Sequence, residues 1–112
     1  MELHGWGRFP KTEAEVSVPA YPGQLRPLLD AAGDSQPLIA RGAGRSYGDS
    51  SLAGRVIDTS SFDNFIRFDT ERGERTCGSG VAIGQLLAIS VPKGWLLPVV
   101  PGTGFVSVGG AI

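Results

Sequence analysis

The sequence has 112 residues, a formal net charge of −1 and 41% hydrophobic residues, which suits one small globular domain with a modest core. Ten Lys and Arg stand against eleven Asp and Glu with no basic run, which argues against a nucleic-acid or anionic-membrane partner. One cysteine, Cys77, excludes an internal disulfide framework, and no stretch is long and apolar enough for a membrane span, so the expected setting is the cytoplasm.

In chain order, residues 1–13 (MELHGWGRFPKTE) read as an N-terminal segment preceding a domain at 14–112. AEVSVPA, residues 14–20, alternates weakly and predicts a short strand. In QLRPLLDAAG, Leu25, Leu28, Leu29 and Ala32 recur at i, i+3, i+4 and i+7, the face of an amphipathic helix that Gly33 ends. Pro27 fits that helix only in its first turn. PLIA, residues 37–40, predicts a buried strand, and RVIDTS, 55–60, the next one. The stretch 64–80 reads as a hairpin with arms at 65–68 and 75–77 and a polar tip TERGE, with Cys77 a small core residue. AIGQLLAISV, 82–91, places Ile83, Leu86 and Leu87 at helical spacing, with Gly94 as the stop. WLLPVVPG, 95–102, is broken by two prolines and predicts an edge strand or an extended entry to a loop, with Trp95 in the core. The fold class is α+β, with short strands and two helices.

Seventeen glycines are about twice the usual ~7% share, and they gather at the ends of apolar runs. One cluster is ARGAGRSYGDSS, residues 40–51. Its glycines, Gly42, Gly44 and Gly48, miss the G-x-G-x-x-G spacing of a dinucleotide fingerprint by one position, and no helix pattern follows. No lysine follows residues 73–78, which excludes a P-loop there. Closely spaced glycines still let successive backbone N–H groups converge on an anion, and Arg41, Arg45 and Ser46 add charge and a hydroxyl. The loop is therefore either a strand-delivered phosphate cradle or a tight surface turn with solvated arginines. A second cluster, PGTGFVSVGGAI at 101–112, would face the same ligand if both delivering segments end on one side of the domain. Tyr47 either shields that ligand or caps the core, and Asp49 is suited to hold loop N–H groups. Asp58 and Asp63 make no acid/base pair, and no metal-ligand cluster is visible.

The run RGAGRSYGD, followed by PVVPGTGFVSVGGAI, resembles the FAD-binding domain of the vanillyl-alcohol oxidase and p-cresol methylhydroxylase type. GWGRFP together with RSYGD is most similar to its sugar oxidoreductases, the decaprenylphosphoryl-ribose oxidases and aldonolactone oxidases. The resemblance implies that the backbone of Ala40, Arg41, Gly42, Ala43, Gly44, Arg45, Ser46, Tyr47, Gly48, Asp49 and Ser50 wraps the FAD pyrophosphate. It likewise implies that Gly102, Ser107, Val108, Gly109 and Gly110 approach the flavin side. Many members of the family carry a flavin-linking histidine where this chain has Arg45, so FAD is expected to be bound non-covalently; the single histidine, His4, lies far upstream. The resemblance further implies that the chain is the N-terminal part of a longer oxidoreductase acting on a sugar-like alcohol. Its remaining cofactor-binding loop, substrate domain and catalytic residues would lie beyond residue 112, and the piece alone would be inactive. A phosphate- or nucleotide-binding module without redox chemistry is the alternative.

Overall fold

A computed structural model describes residues 1–33 and 36–112. Three small sheets carry the strands. The first pairs β1 (Glu2–His4) with β2 (Lys11–Glu13) as an antiparallel hairpin, so the N-terminal segment is structured. The second is parallel, with β3 (Glu15–Ser17) and β4 (Leu38–Arg41) flanking a central β5 (Arg55–Asp58). Helix α1 (Leu25–Ala32) makes the crossover from β3 to β4, the connection that parallel neighbours require. The third sheet is the hairpin of β6 (Phe65–Asp69) and β7 (Glu74–Cys77), with a register shift between Phe65 and Arg67. Two more helices follow, α2 (Ile83–Ser90) and the short α3 (Val108–Ala111).

The core runs through the central strand and the start of α2. Val56 and Ile57 of β5, Val81, Ile83 and Leu86 are all buried, joined by Ala14 and Ala32. The strand expected at 55–60 and the helical spacing at 82–91 locate these elements, and the punctuation residues behave as their chemistry demands. Pro27 is the third residue of α1, and Gly33 closes that helix at φ 54°. Gly94 ends the turn after α2 in the left-handed region at φ 83°. At the start of α2 the Ala82 N–H donates to Gln85 Oε1 at 2.9 Å, giving one orphan donor of the helix end a partner.

Four expectations need correction. Of the two alternatives for residues 95–102, the edge strand is ruled out and the extended entry to a loop remains, because Pro98 and Pro101 withhold two donors that a ladder would need. Trp95 is not in the core: 36% exposed, it lies on the tip of the β6–β7 hairpin, its indole N–H donating to Thr70 O at 2.8 Å. A Cβ on Gly73 would come within 2.7 Å of the Trp95 ring, so the tip is shaped to this side chain. Strand β4 is only half-buried along most of its length, since it is an edge of the parallel sheet. Cys77 is half-buried rather than a core residue.

Residues 104–109 place the second glycine cluster. They zip antiparallel onto 79–84 through Ile83 N–H to Val106 O, Gly84 N–H to Gly104 O, Val108 N–H to Val81 O and Gly109 N–H to Ser79 O, all between 2.8 and 2.9 Å. Gly84 and Gly104 meet so closely that a Cβ on Gly104 would sit 3.1 Å from the Gly84 Cα. This seam brings the cluster beside the end of β4, where the first loop begins.

Candidate cofactor site

The glycine loop leaves the sheet at the C-terminal end of β4. Its first residue is pinned there: Arg41 O accepts from Thr59 N–H at 2.9 Å and from the Thr59 hydroxyl at 3.2 Å. Beyond that point the ladder stops. Gly44 and Gly48 adopt left-handed backbone at φ 65° and 58°, which glycine enters without a Cβ penalty. Among the described residues, no backbone N–H from Ala43 to Ser51 donates to a protein acceptor; the turn is closed by Leu52 N–H to Asp49 O at 2.9 Å and by the Ser50 hydroxyl to Tyr47 O at 3.0 Å. A run of this kind leaves backbone donors without internal partners, the condition that suits an anion.

Facing the loop is a cavity of about 560 Å³, within the range of small-molecule sites. Ala40, Gly42, Ala43, Gly44, Arg45, Ser46 and Ser50 line it from one side, and Ser107 and Gly110 from the other. The two glycine clusters therefore share one concavity. The approach is tight at the base, where a Cβ on Gly42 would fall on the Ser107 hydroxyl. Ser107 is buried, at 4% exposure, so it is a wall residue.

Not every expected residue reaches this wall. Arg41, Tyr47, Gly48 and Asp49 of the first cluster lie off it, as do Gly102, Val108 and Gly109 of the second. Tyr47 is 78% exposed and so does not cap the core. Among the described residues, no loop N–H donates to the Asp49 side chain, and its main-chain carbonyl accepts from Leu52 N–H. Val108, Gly109 and Gly110 spend their N–H groups on Val81 O, Ser79 O and Ser107 O, so the second cluster contributes shape more than donors. Sequence reasoning missed Ser51, Ile83, Val99, Val100, Pro101, Val106 and Ala111 on the wall. The apolar run at 99–101 is visible in the sequence, but as an edge strand or an extended entry to a loop rather than as a wall of the cavity. Ile83 was assigned only to a helix face.

Charge at the site comes from the two arginines, neither of which pairs with a carboxylate among the described residues. The Arg45 guanidinium lies over the Trp6 ring at 5.6 Å and donates to Ala43 O at 3.2 Å. That cation–π contact holds an exposed cation at the cavity edge. Arg41 turns the other way, beneath the loop. Its Nη1 donates to Ser51 O and Oγ at 3.3 and 3.1 Å, and its Nη2 to His4 O at 2.7 Å. His4 itself is half-buried in β1, its Nδ1 2.9 Å from Gly5 O, and does not face the cavity. No cavity-lining residue is a His, Cys, Tyr, Lys or carboxylate.

The site's donor set, Arg45 at the rim beside a run of free amides, fits a diphosphate-bearing cofactor, and its glycines leave the space that side chains would fill. Comparison with known proteins bears on that cofactor. A family described as FAD binding domain matches residues 13–112, a stretch containing both walls of the cavity. The decaprenylphosphoryl-beta-D-ribose oxidase of Mycolicibacterium smegmatis (strain ATCC 700084 / mc(2)155) is 39% identical over 114 residues, covering 98% of this chain. The chain spans 25% of that relative's length. Among the described residues no helix is long and apolar enough to cross a membrane. Since the family match takes in both glycine clusters and the seam that joins them, the chain belongs to the FAD-binding domains of the p-cresol methylhydroxylase type.

Proposed function

We propose that the loop 42–51 holds the FAD pyrophosphate, that the facing wall at Ser107 and Gly110 abuts the flavin side, and that no covalent bond links the cofactor to this segment. The observation that carries the reading is the run of backbone N–H groups from Ala43 to Ser51 without an acceptor among the described residues, beside Arg45 and above Arg41. Backbone donors at a glycine loop suit a delocalised diphosphate charge, and Arg45 adds an exposed cation at the rim. Non-covalent binding rests on the makeup of the wall, which offers no His, Cys or Tyr to bond a flavin.

The same reading makes the whole protein an oxidoreductase acting on the alcohol carbon of a sugar-like substrate; the relative is named as an oxidase of decaprenylphosphoryl-beta-D-ribose. FAD, when bound, supplies the two-electron acceptor. These residues bind and orient. None on the wall is a carboxylate, histidine or lysine, so the group that takes the alcohol proton is supplied from elsewhere in the protein. Cys77, a half-buried free thiol, agrees with a reducing cytoplasmic compartment.

The test is direct. The whole protein, purified, is expected to show flavin absorbance, and acid precipitation is expected to release all the flavin into the supernatant. A colourless protein that ignores added FAD, or that prefers ADP or ATP to FAD in calorimetry, refutes the cofactor assignment. Flavin retained in the pellet refutes the non-covalent part.

A further inference from the structure

The hairpin of residues 2–13 lies almost wholly outside the family match, which begins at residue 13, yet it is fastened to the glycine loop at three points. Trp6 N–H donates to Ser46 O at 2.9 Å, in the middle of the loop. Gly5 is buried against the same place: a Cβ there would stand 2.6 Å from Ser46 O and 3.0 Å from Gly48 O. Arg41 makes the third link, since its guanidinium fork joins His4 O in β1 to Ser51 at the far end of the loop. Ser51 passes the connection back, accepting from the Ser46 hydroxyl at 2.9 Å.

We infer that the N-terminal hairpin is a clasp that sets the cofactor loop in its binding conformation before FAD arrives, and that Arg41 is the positioning residue through which it acts. The inference rests on the FAD reading above. The geometry separates two roles that the sequence left equal. Arg45 is at the cavity rim, whereas Arg41 lies under the loop with all its observed bonds to protein oxygens, packed so closely that a Cβ on Gly44 would stand 2.8 Å from its Cζ. A loop with no internal ladder is a poor template by itself, because its many conformers would have to be frozen at binding. Holding it at Ser46 and Ser51 removes that cost in advance. A planar fork reaches two acceptors in fixed directions, which a lysine ammonium on the same strand position does not reproduce.

The experiment compares the whole protein with its Arg41→Lys and Arg41→Gln variants, at a temperature where all three are folded. FAD affinity is measured by fluorescence titration of the apoprotein, and backbone hydrogen exchange is followed without ligand. A clasp requires both variants to lose about tenfold or more in FAD affinity. It also requires faster exchange at the Trp6 amide, while amides of β5 and α2 keep their rates. Retention of wild-type affinity by Arg41→Lys, with loss only in Arg41→Gln, makes Arg41 a charge and overturns the inference. Unchanged Trp6 exchange in both variants overturns it too. If Arg41 variants prove unstable, Gly5→Ala loosens the same contact from the hairpin side and must show the same paired loss; normal FAD affinity in that variant overturns the inference. Should wild-type protein not bind FAD at all, the cofactor reading fails, and Trp6 exchange alone still decides whether Arg41 closes the clasp.

Discussion

The contact between Gly42 and Ser107 is where the two walls of the cavity meet, and it yields a quantitative test. A methyl group at Gly42 would fall on the Ser107 hydroxyl and stand 3.3 Å from Ser107 Cβ. Neither backbone is free to retreat. Gly42 follows Arg41, whose carbonyl is held by Thr59, and Ser107 is fixed by its bridge to Ala82 and by Val108 N–H to Val81 O at 2.8 Å. Gly42→Ala is therefore an overpacking change, expected to cost about 1–3 kcal/mol. Ser107→Ala alone should be mild, since the hydroxyl makes no hydrogen bond among the described residues. It removes the clashing oxygen but leaves the 3.3 Å carbon contact, so the double variant should recover most of the loss, with a coupling of about 1 kcal/mol. Urea unfolding of the apoprotein measures the cycle, and repeating it with saturating FAD shows whether the ligand's stabilisation is also lost. Strict additivity of the two substitutions, or a Gly42→Ala protein as stable as wild type, would refute the facing-wall geometry.

Three further substitutions test other parts of the structure. Gly44→Ala forces an alanine to φ 65° against the Arg41 guanidinium, and should cost about 1–2 kcal/mol from backbone alone, with weaker FAD binding in the same titration. Gly73→Ala combines φ 69° with an encounter with the Trp95 ring; it should destabilise by about 2 kcal/mol in urea while leaving FAD affinity within error, because the hairpin tip is not on the cavity wall. Arg45→Gln should weaken FAD binding several-fold at low ionic strength and much less at high, because a rim cation acts through a screened field; a salt-independent loss would argue for a structural role.

Much of the fold was legible because its signals are local. The i, i+3, i+4 spacing in α1 and α2 and the polar tip between β6 and β7 each concern residues close in sequence, and each produced the element expected. Even there burial was only partly readable: Leu29 of the predicted apolar face is 54% exposed. Of the two alternatives for 95–102, an edge strand or an extended entry to a loop, the strand failed for a different reason. An apolar run states that a segment wants cover, not that it has a ladder partner, and two prolines remove the donors a partner would use. Trp95 failed likewise, since a large ring with a polar N–H is satisfied by a half-exposed shelf on a hairpin tip.

The site was half legible for a physical reason of its own. Glycine spacing announces a loop able to present N–H groups, and the structure leaves those groups free. What spacing cannot announce is which residues hold that loop still. Apart from the Ser51 hydroxyl, the acceptors that do so are main-chain oxygens of His4, Ser46 and Ser51, and a carbonyl carries no side-chain signature. Two arginines four positions apart looked equivalent in sequence. One sits on the last residue of a strand, where its side chain is directed under the loop toward the N-terminal hairpin. The other sits past Gly44, where the left-handed backbone turns the chain and brings Arg45 to the rim. The reversal at Gly44 thus divides their labour: the first cation is committed to protein oxygens before any ligand binds, and the second stays at the edge of the cavity, held only by a ring and one carbonyl.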